Sequence, residues 1–182
     1  MTQSITLRGA SDSALAEVDS GALRSRPDGE WEQALADGRA YSWSNATYDY
    51  TAVDTVLAVE NNSATHDLKI KRIFITGSTA TQFVVHTSTG TTIAGTAVTG
   101  VNMNRNSGSA ATATAVATET GNTQSTAYLG KLICGRFANN GLVDIPVDGA
   151  IVLPNDTNIG IDLTTDGTAA NCTIWGYFVP RE

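Results

Sequence analysis

Ala150-Ile151-Val152-Leu153-Pro154-Asn155-Asp156-Thr157-Asn158-Ile159-Gly160-Ile161-Asp162-Leu163 and, after a turn-rich gap, Cys172-Thr173-Ile174-Trp175-Gly176-Tyr177-Phe178-Val179 decide the fold. Ile159, Ile161 and Leu163 share one parity, with Gly160 and Asp162 between them, which is the period-2 pattern of a strand with one dry face. The gap 164–168 carries an Asp166-Gly167 turn signal. The run after it is aromatic and β-branched and stops at Pro180. The pattern predicts a hairpin whose second strand lies inside a main sheet. Trp175 and Tyr177 fall on the face opposite Ile174 and Phe178. A strand apolar on both faces is either central in a sandwich or half buried against a neighbouring subunit.

Working back from this pair, residues 40–182 read as short strands separated by turn signals. Tyr41-Ser42-Trp43-Ser44 alternates, and Val53–Val59 is an apolar run ended by Glu60-Asn61-Asn62-Ser63. Leu68 and Ile70 share one parity, Ile73 and Ile75 the other, so a bulge near Lys71-Arg72 is expected to keep all four on the core side. With Phe83, Val84 and Val85 returning after Thr76-Gly77-Ser78-Thr79, the segment 67–88 predicts a β-hairpin. Ala111–Thr118 alternates strictly, with one all-alanine face suited to close packing, and 99–109 reads as a long loop. Asn139-Asn140-Gly141 is a further hairpin-type turn. The count is about eight strands, which predicts an all-β, antiparallel, jelly-roll-like β-sandwich.

Residues 1–39 differ in character. They hold 11 of the 29 charged residues and form an N-terminal arm, extended in part, or a solvated tail. A short helix is expected near 29–36, capped by Asp28 and ended by Gly38, with Trp31, Ala34 and Leu35 on one stripe. So short a helix must dock on something to persist.

The chain has 182 residues and a net charge of −7, against the basic footprint that nucleic-acid binding needs. No run approaches a membrane span, and the N-terminal residues lack the pattern of a secretory signal, so synthesis in the cytoplasm is expected. No nucleophile elbow, phosphate loop or zinc pattern is present, and neither catalytic residues nor a cofactor are expected. His66 and His86 can approach each other across the predicted hairpin, without further ligands to make a metal site. Cys134 and Cys172 read as small buried apolar residues. Four Asn-x-Ser/Thr matches, at Asn45, Asn61, Asn155 and Asn171, are expected by chance in so Asn- and Thr-rich a chain. Lys69, Lys71 and Arg72 read either as a solvated strand edge or as a contact patch for an acidic partner. Trp43, Tyr48, Tyr50, Trp175 and Tyr177 read as core and interface or as a sugar-binding platform.

The stretches Gly21-Ala22-Leu23-Arg24-Ser25-Arg26-Pro27, Gly38-Arg39-Ala40-Tyr41-Ser42-Trp43, Leu68-Lys69-Ile70-Lys71-Arg72-Ile73 and Ile151-Val152-Leu153-Pro154 before an aromatic final strand together resemble the decoration, or cement, proteins and related small head proteins of tailed bacteriophages. The resemblance implies a jelly-roll-like sandwich and a homotrimer on the capsid surface. It also implies binding across adjoining major capsid protein subunits, with no catalytic residue. On that expectation Leu23, Arg24, Arg26, Trp31 and Leu35 of the arm contact the capsid, and Ala113, Ala115, Trp175 and Tyr177 lie at subunit contacts. The alternative expectation is a receptor- or glycan-binding module of a phage spike or fibre.

Overall fold

Residues 66–77 alternate apolar and polar, but the alternation changes phase midway, and the chain absorbs the change with a single extra residue. A computed structural model of the chain describes residues 17–19, 22–24, 29–46, 48–50, 55–89, 95–117, 130–164 and 168–181. In chain order its elements are β1 (Glu17–Asp19), β2 (Ala22–Arg24), α1 (Glu30–Ala36), β3 (Ala40–Ser44), β4 (Tyr48–Tyr50), β5 (Thr55–Asn61), β6 (His66–Gly77), β7 (Thr81–Thr89), β8 (Thr96–Ala97), β9 (Val101–Asn102), β10 (Ala113–Ala117), β11 (Gly130–Phe137), β12 (Leu142–Leu153), β13 (Thr157–Leu163) and β14 (Thr168–Pro180). On β6, Trp175 of β14 pairs with Arg72 while Gly176 pairs with Ile70, leaving Lys71 as the bulged residue. Leu68, Ile70, Ile73 and Ile75 are in consequence all fully buried. At about 1.5–3 kcal/mol for each aliphatic side chain taken out of water, this one insertion decides a large part of the core.

The strands form two antiparallel sheets packed face to face. One, the helix-side sheet, runs β12-β6-β14-β3-β9, with β4 also pairing to β14. The other, the far sheet, runs β11-β7-β13-β5-β10-β8. Eight of these strands, β3-β14-β6-β12 in one sheet and β5-β13-β7-β11 in the other, have the order of a jelly roll. β1 and β2 pair separately as a small antiparallel ribbon.

This order corrects the expected hairpins. β6 and β7 are consecutive but lie in opposite sheets, as do β11 and β12, and β13 and β14. The turn chemistry between them is real: Asn140 sits at φ 52 between β11 and β12. A turn reverses the chain without dictating whether the two strands bond edge to edge or face each other across a core. Here both strands of each pair are strongly apolar on one face, and they meet through side chains.

β14 is the centre of the helix-side sheet, flanked by β6 on one side and by β3 and β4 on the other. Ala170, Cys172, Ile174 and Phe178 point into the core cluster, and Tyr177 joins a separate cluster on the outer face. β13 is central in the far sheet, and every one of its residues is buried. The expectation of one dry face is therefore too modest, since Asn158 and Asp162 on the other face are also buried.

β10 pairs with β5, and its alanines turn into the fold. Ala115 is part of the core cluster and Ala113 packs against it. The thin face is thus used inside the sandwich, where it lets the sheets close tightly.

The edges of the sheets are guarded in different ways. β8 and β9 are two residues long. β12 carries Pro146, and its ladder breaks between Pro146 and Ile151, where Asp148 and Gly149 adopt left-handed φ of 50° and 82°. A proline and a mid-strand excursion are devices that stop a foreign strand from adding to an edge.

Candidate functional site

The outer face of the helix-side sheet gathers four of the residues singled out from sequence. α1 is capped by Gly29 without a side-chain hydrogen bond, so the expected Asp28 cap gives way to backbone geometry; Asp28 itself lies outside the described residues. Glu30 and Glu32 occupy the first turn, where the helix dipole favours acids. Gly38 at φ 70 ends the element, as its sequence position predicts. The apolar stripe then docks on β14: Ala34 and Ala40 are fully buried with Tyr177, and Trp31, Leu35 and Val179 pack around them. Trp31 meets Tyr177 edge to face with ring centroids 5.5 Å apart.

Trp31, Leu35 and Tyr177 thus act together in holding α1 on the sheet. Trp175 lies on the same face, beyond the helix, half-buried. Leu23 and Arg24 stand in β2, opposite Val18 and Glu17 of β1. Arg26 lies outside the described residues.

The basic cluster ties this face together. β6 is an interior strand, between β12 and β14, so the reading of Lys69, Lys71 and Arg72 as an edge guard is corrected. Lys69 Nζ reaches Glu30 of α1 at 2.6 Å. Lys71 Nζ bridges to Asp148 at 2.7 Å and lies over the Trp31 ring. Arg72 forms a bidentate pair with Asp144 at 2.7 and 2.9 Å. Beside α1, a groove of about 730 Å³ is lined by residues including Glu30, Arg39, Asp67, Lys69 and Arg181. Its cations are also answered internally: Arg181 pairs with Asp67, and Arg39 with Asp37 and the Phe178 carbonyl.

Tyr177 carries a measurable consequence of this packing. Burial, followed by the negative charge of Glu30 and a hydrogen bond to it, pushes the phenol from its ordinary 10.0 up to about 12. The folded state holds the proton more tightly than the unfolded chain. Stability from this group is therefore complete below pH 10 and is lost as pH rises from 10 towards about 12. Burial also raises the Tyr41 phenol, so alkaline unfolding followed by circular dichroism, with phenolate absorbance recorded in parallel, is expected to show both tyrosines ionising with the unfolding transition. Tyr177→Phe should reduce that step by one phenolate and weaken the loss of stability towards pH 12.

A second constellation was not legible as such in the sequence. On the far sheet, Asp162 Oδ1 accepts from Thr55 Oγ1 at 2.7 Å and lies 3.1 Å from His86 Nε2. All three residues are buried, His86 and Thr55 completely. His66 is on the other sheet, beside Thr65, so the two histidines do not approach each other. Among the described residues no group of His, Cys, Asp and Glu is arranged to hold a metal ion.

Trp43 is fully buried in the core, which removes it from any sugar platform; Tyr48 and Tyr50 pair with Ala170 and Thr168 on β14. Cys172 is buried, and burial raises its thiol pKa, whereas Cys134 is exposed on β11, against expectation. Asn45 and Asn61, two of the four glycosylation matches, are buried and hydrogen-bonded to backbone, Asn61 to the carbonyls of His66 and Leu153. The loop around 102–110 clamps the end of α1 through Asn102 to Gly38 O and Asn104 to Ala36 O. No helix among the described residues is long and apolar enough to cross a membrane.

Compared with known proteins, the chain matches no family model, no curated protein and no solved structure.

Proposed function

We propose that the protein is a structural component of a tailed-phage virion, a homotrimer that binds the outside of the capsid and stabilises it by bridging adjacent major capsid subunits. The supporting observation is a division of labour along the chain. Among the described residues, both large sheets take their strands from residues 40–180, and those described ahead of α1, in β1 and β2, pair with each other. α1 joins them to the sandwich at the face that carries Trp175. An arm outside the core adds interface with a partner without enlarging the core. A protein that binds only the assembled shell stabilises that shell by mass action, and three linked copies on a three-fold site gain avidity.

In this reading Leu23, Arg24 and Arg26 reach the capsid, while Trp31 and Leu35 hold the helix that anchors the arm. The protein is made in the bacterial host's cytoplasm and resides on the virion surface. It needs no cofactor, nucleic acid or membrane. The buried Thr55–His86–Asp162 group stabilises the far sheet instead of acting on a substrate.

The test is light scattering of the full chain together with co-sedimentation on expanded shells of the phage that encodes it. A trimer is expected. Removing residues 1–28, which leaves α1 in place, should lower shell binding by about tenfold or more as the linked contacts are lost. A strictly monomeric protein with no affinity for shells would sink the proposal.

A further inference from the structure

We infer that the half of the helix-side sheet's outer face left bare by α1 is a binding site for an uncharged saccharide. The half under α1 is occupied by Tyr177 and its neighbours. On the half that α1 does not cover, Phe74 and Trp175 form a T-shaped pair with ring centroids 5.0 Å apart, both half-buried. The Arg72 guanidinium lies over the Phe74 ring, 5.5 Å from its centroid, so Phe74 serves to hold Trp175 and Arg72 at fixed angles, and Trp175 on β14 is the ring offered to a ligand.

The polar groups around the rings suit hydroxyl ligands. On one side Arg72 and Asp144 are 40% exposed, and their bidentate contact fixes both planes. That contact uses two of the five guanidinium N–H donors and leaves lone pairs on the carboxylate, so donors and acceptors stand side by side. On the other side the Ser44 and Thr173 hydroxyls share a hydrogen bond of 2.7 Å. Thr173 is paired with Phe74 across the ladder, which puts this hydroxyl pair beside the rings.

Charge narrows the ligand class. The chain carries −7 overall, yet on this face one cation and one anion are closed on each other. Neither an anionic nor a cationic ligand gains net attraction here. A neutral pyranose offers what the face matches: a C–H surface for an aromatic ring and a rim of hydroxyls for paired donors and acceptors. One ring in a polar surround also suits a ligand contacting the face through one or two sugar units better than a protein interface of about 800 Å² per partner. The inference goes beyond the virion role and does not depend on it.

The test uses the full chain and three neutral probes, cellohexaose, maltohexaose and chitohexaose, in saturation-transfer NMR followed by titration. Binding of at least one is expected. Trp175→Ala should weaken it by about tenfold, the order expected from losing one stacked ring. Asp144→Asn, on an exposed position that leaves the core untouched, should weaken it as well, and circular dichroism confirms that each variant is folded. No transfer to any of the three sugars overturns the inference, as does binding that both folded variants retain in full. Loss of self-association in Trp175→Ala without sugar binding by the parent chain also overturns it, and marks the face as a protein contact.

Discussion

Asp162→Ala is expected to lower stability by about 2–6 kcal/mol, since each of two buried groups that loses its hydrogen-bond partner costs about 1–3 kcal/mol. Asp162 is only 2% exposed, and it faces two fully buried partners, Thr55 and His86. The substitution takes from both an acceptor that water cannot replace at those positions. A domain has only about 5–15 kcal/mol in hand, so the urea midpoint should fall by a large fraction. Asp162→Asn separates geometry from charge. It keeps an oxygen for Thr55 and should cost less than the alanine variant. Equal midpoints for Asp162→Ala and the parent chain would show that the cluster contributes nothing to stability.

Deleting Lys71 should abolish folding, whereas Lys71→Ala should be tolerated. The deletion removes the residue that lets Leu68 and Ile70 on one side, and Ile73 and Ile75 on the other, share the core face. Without it, half of β6 must present its other face to the core. Two isoleucines or their equivalents are then exposed, at about 1.5–3 kcal/mol each, while Arg72 or Lys69 is driven inward at further cost. Lys71→Ala keeps the residue count and loses one partly exposed ion pair with Asp148, worth at most about 1 kcal/mol, together with the cation over the Trp31 ring, worth about 0.5–1 kcal/mol at an exposed site. Near-ultraviolet circular dichroism and soluble yield read the difference. A deletion variant with a cooperative melt at the parent temperature would disprove the role assigned to the bulge.

These two cases also mark what was legible in the sequence and what was not. The bulge was legible because parity is a strict code: four large aliphatics on one strand in two phases leave little choice but an inserted residue. The position of β14 was legible in part: apolar residues on both faces left it either central in a sandwich or half buried against a neighbouring subunit, and its pairing with β3 and β6 makes it central. Strand partners were not. Asn139-Asn140-Gly141 and Thr76-Gly77-Ser78 specify a reversal, and the same reversal serves a hairpin or a crossing between sheets. The Thr55–His86–Asp162 group was hidden because the three residues are far apart in sequence, and Asp162, alternating with isoleucines, reads as solvent-facing. The alanine face of β10 was legible in part: small residues announce close approach without saying whether the approaching backbone belongs to the same chain, and Ala115 meets the core of its own sandwich.

The central place of β14 bears on how the molecule comes into being. Its partners β3 and β6 are made much earlier, and β14 is translated after every other described strand of the sandwich. Until it leaves the ribosome, β3 and β6 lack the neighbour that joins them, and Leu68, Ile73 and Trp43 have no completed core to enter. Pairings this distant in sequence carry a high loop-closure cost and place such topologies among the slow folders, on a scale of milliseconds to seconds. The nascent chain therefore waits with its apolar strands open, and holdase chaperones are expected to occupy it during synthesis.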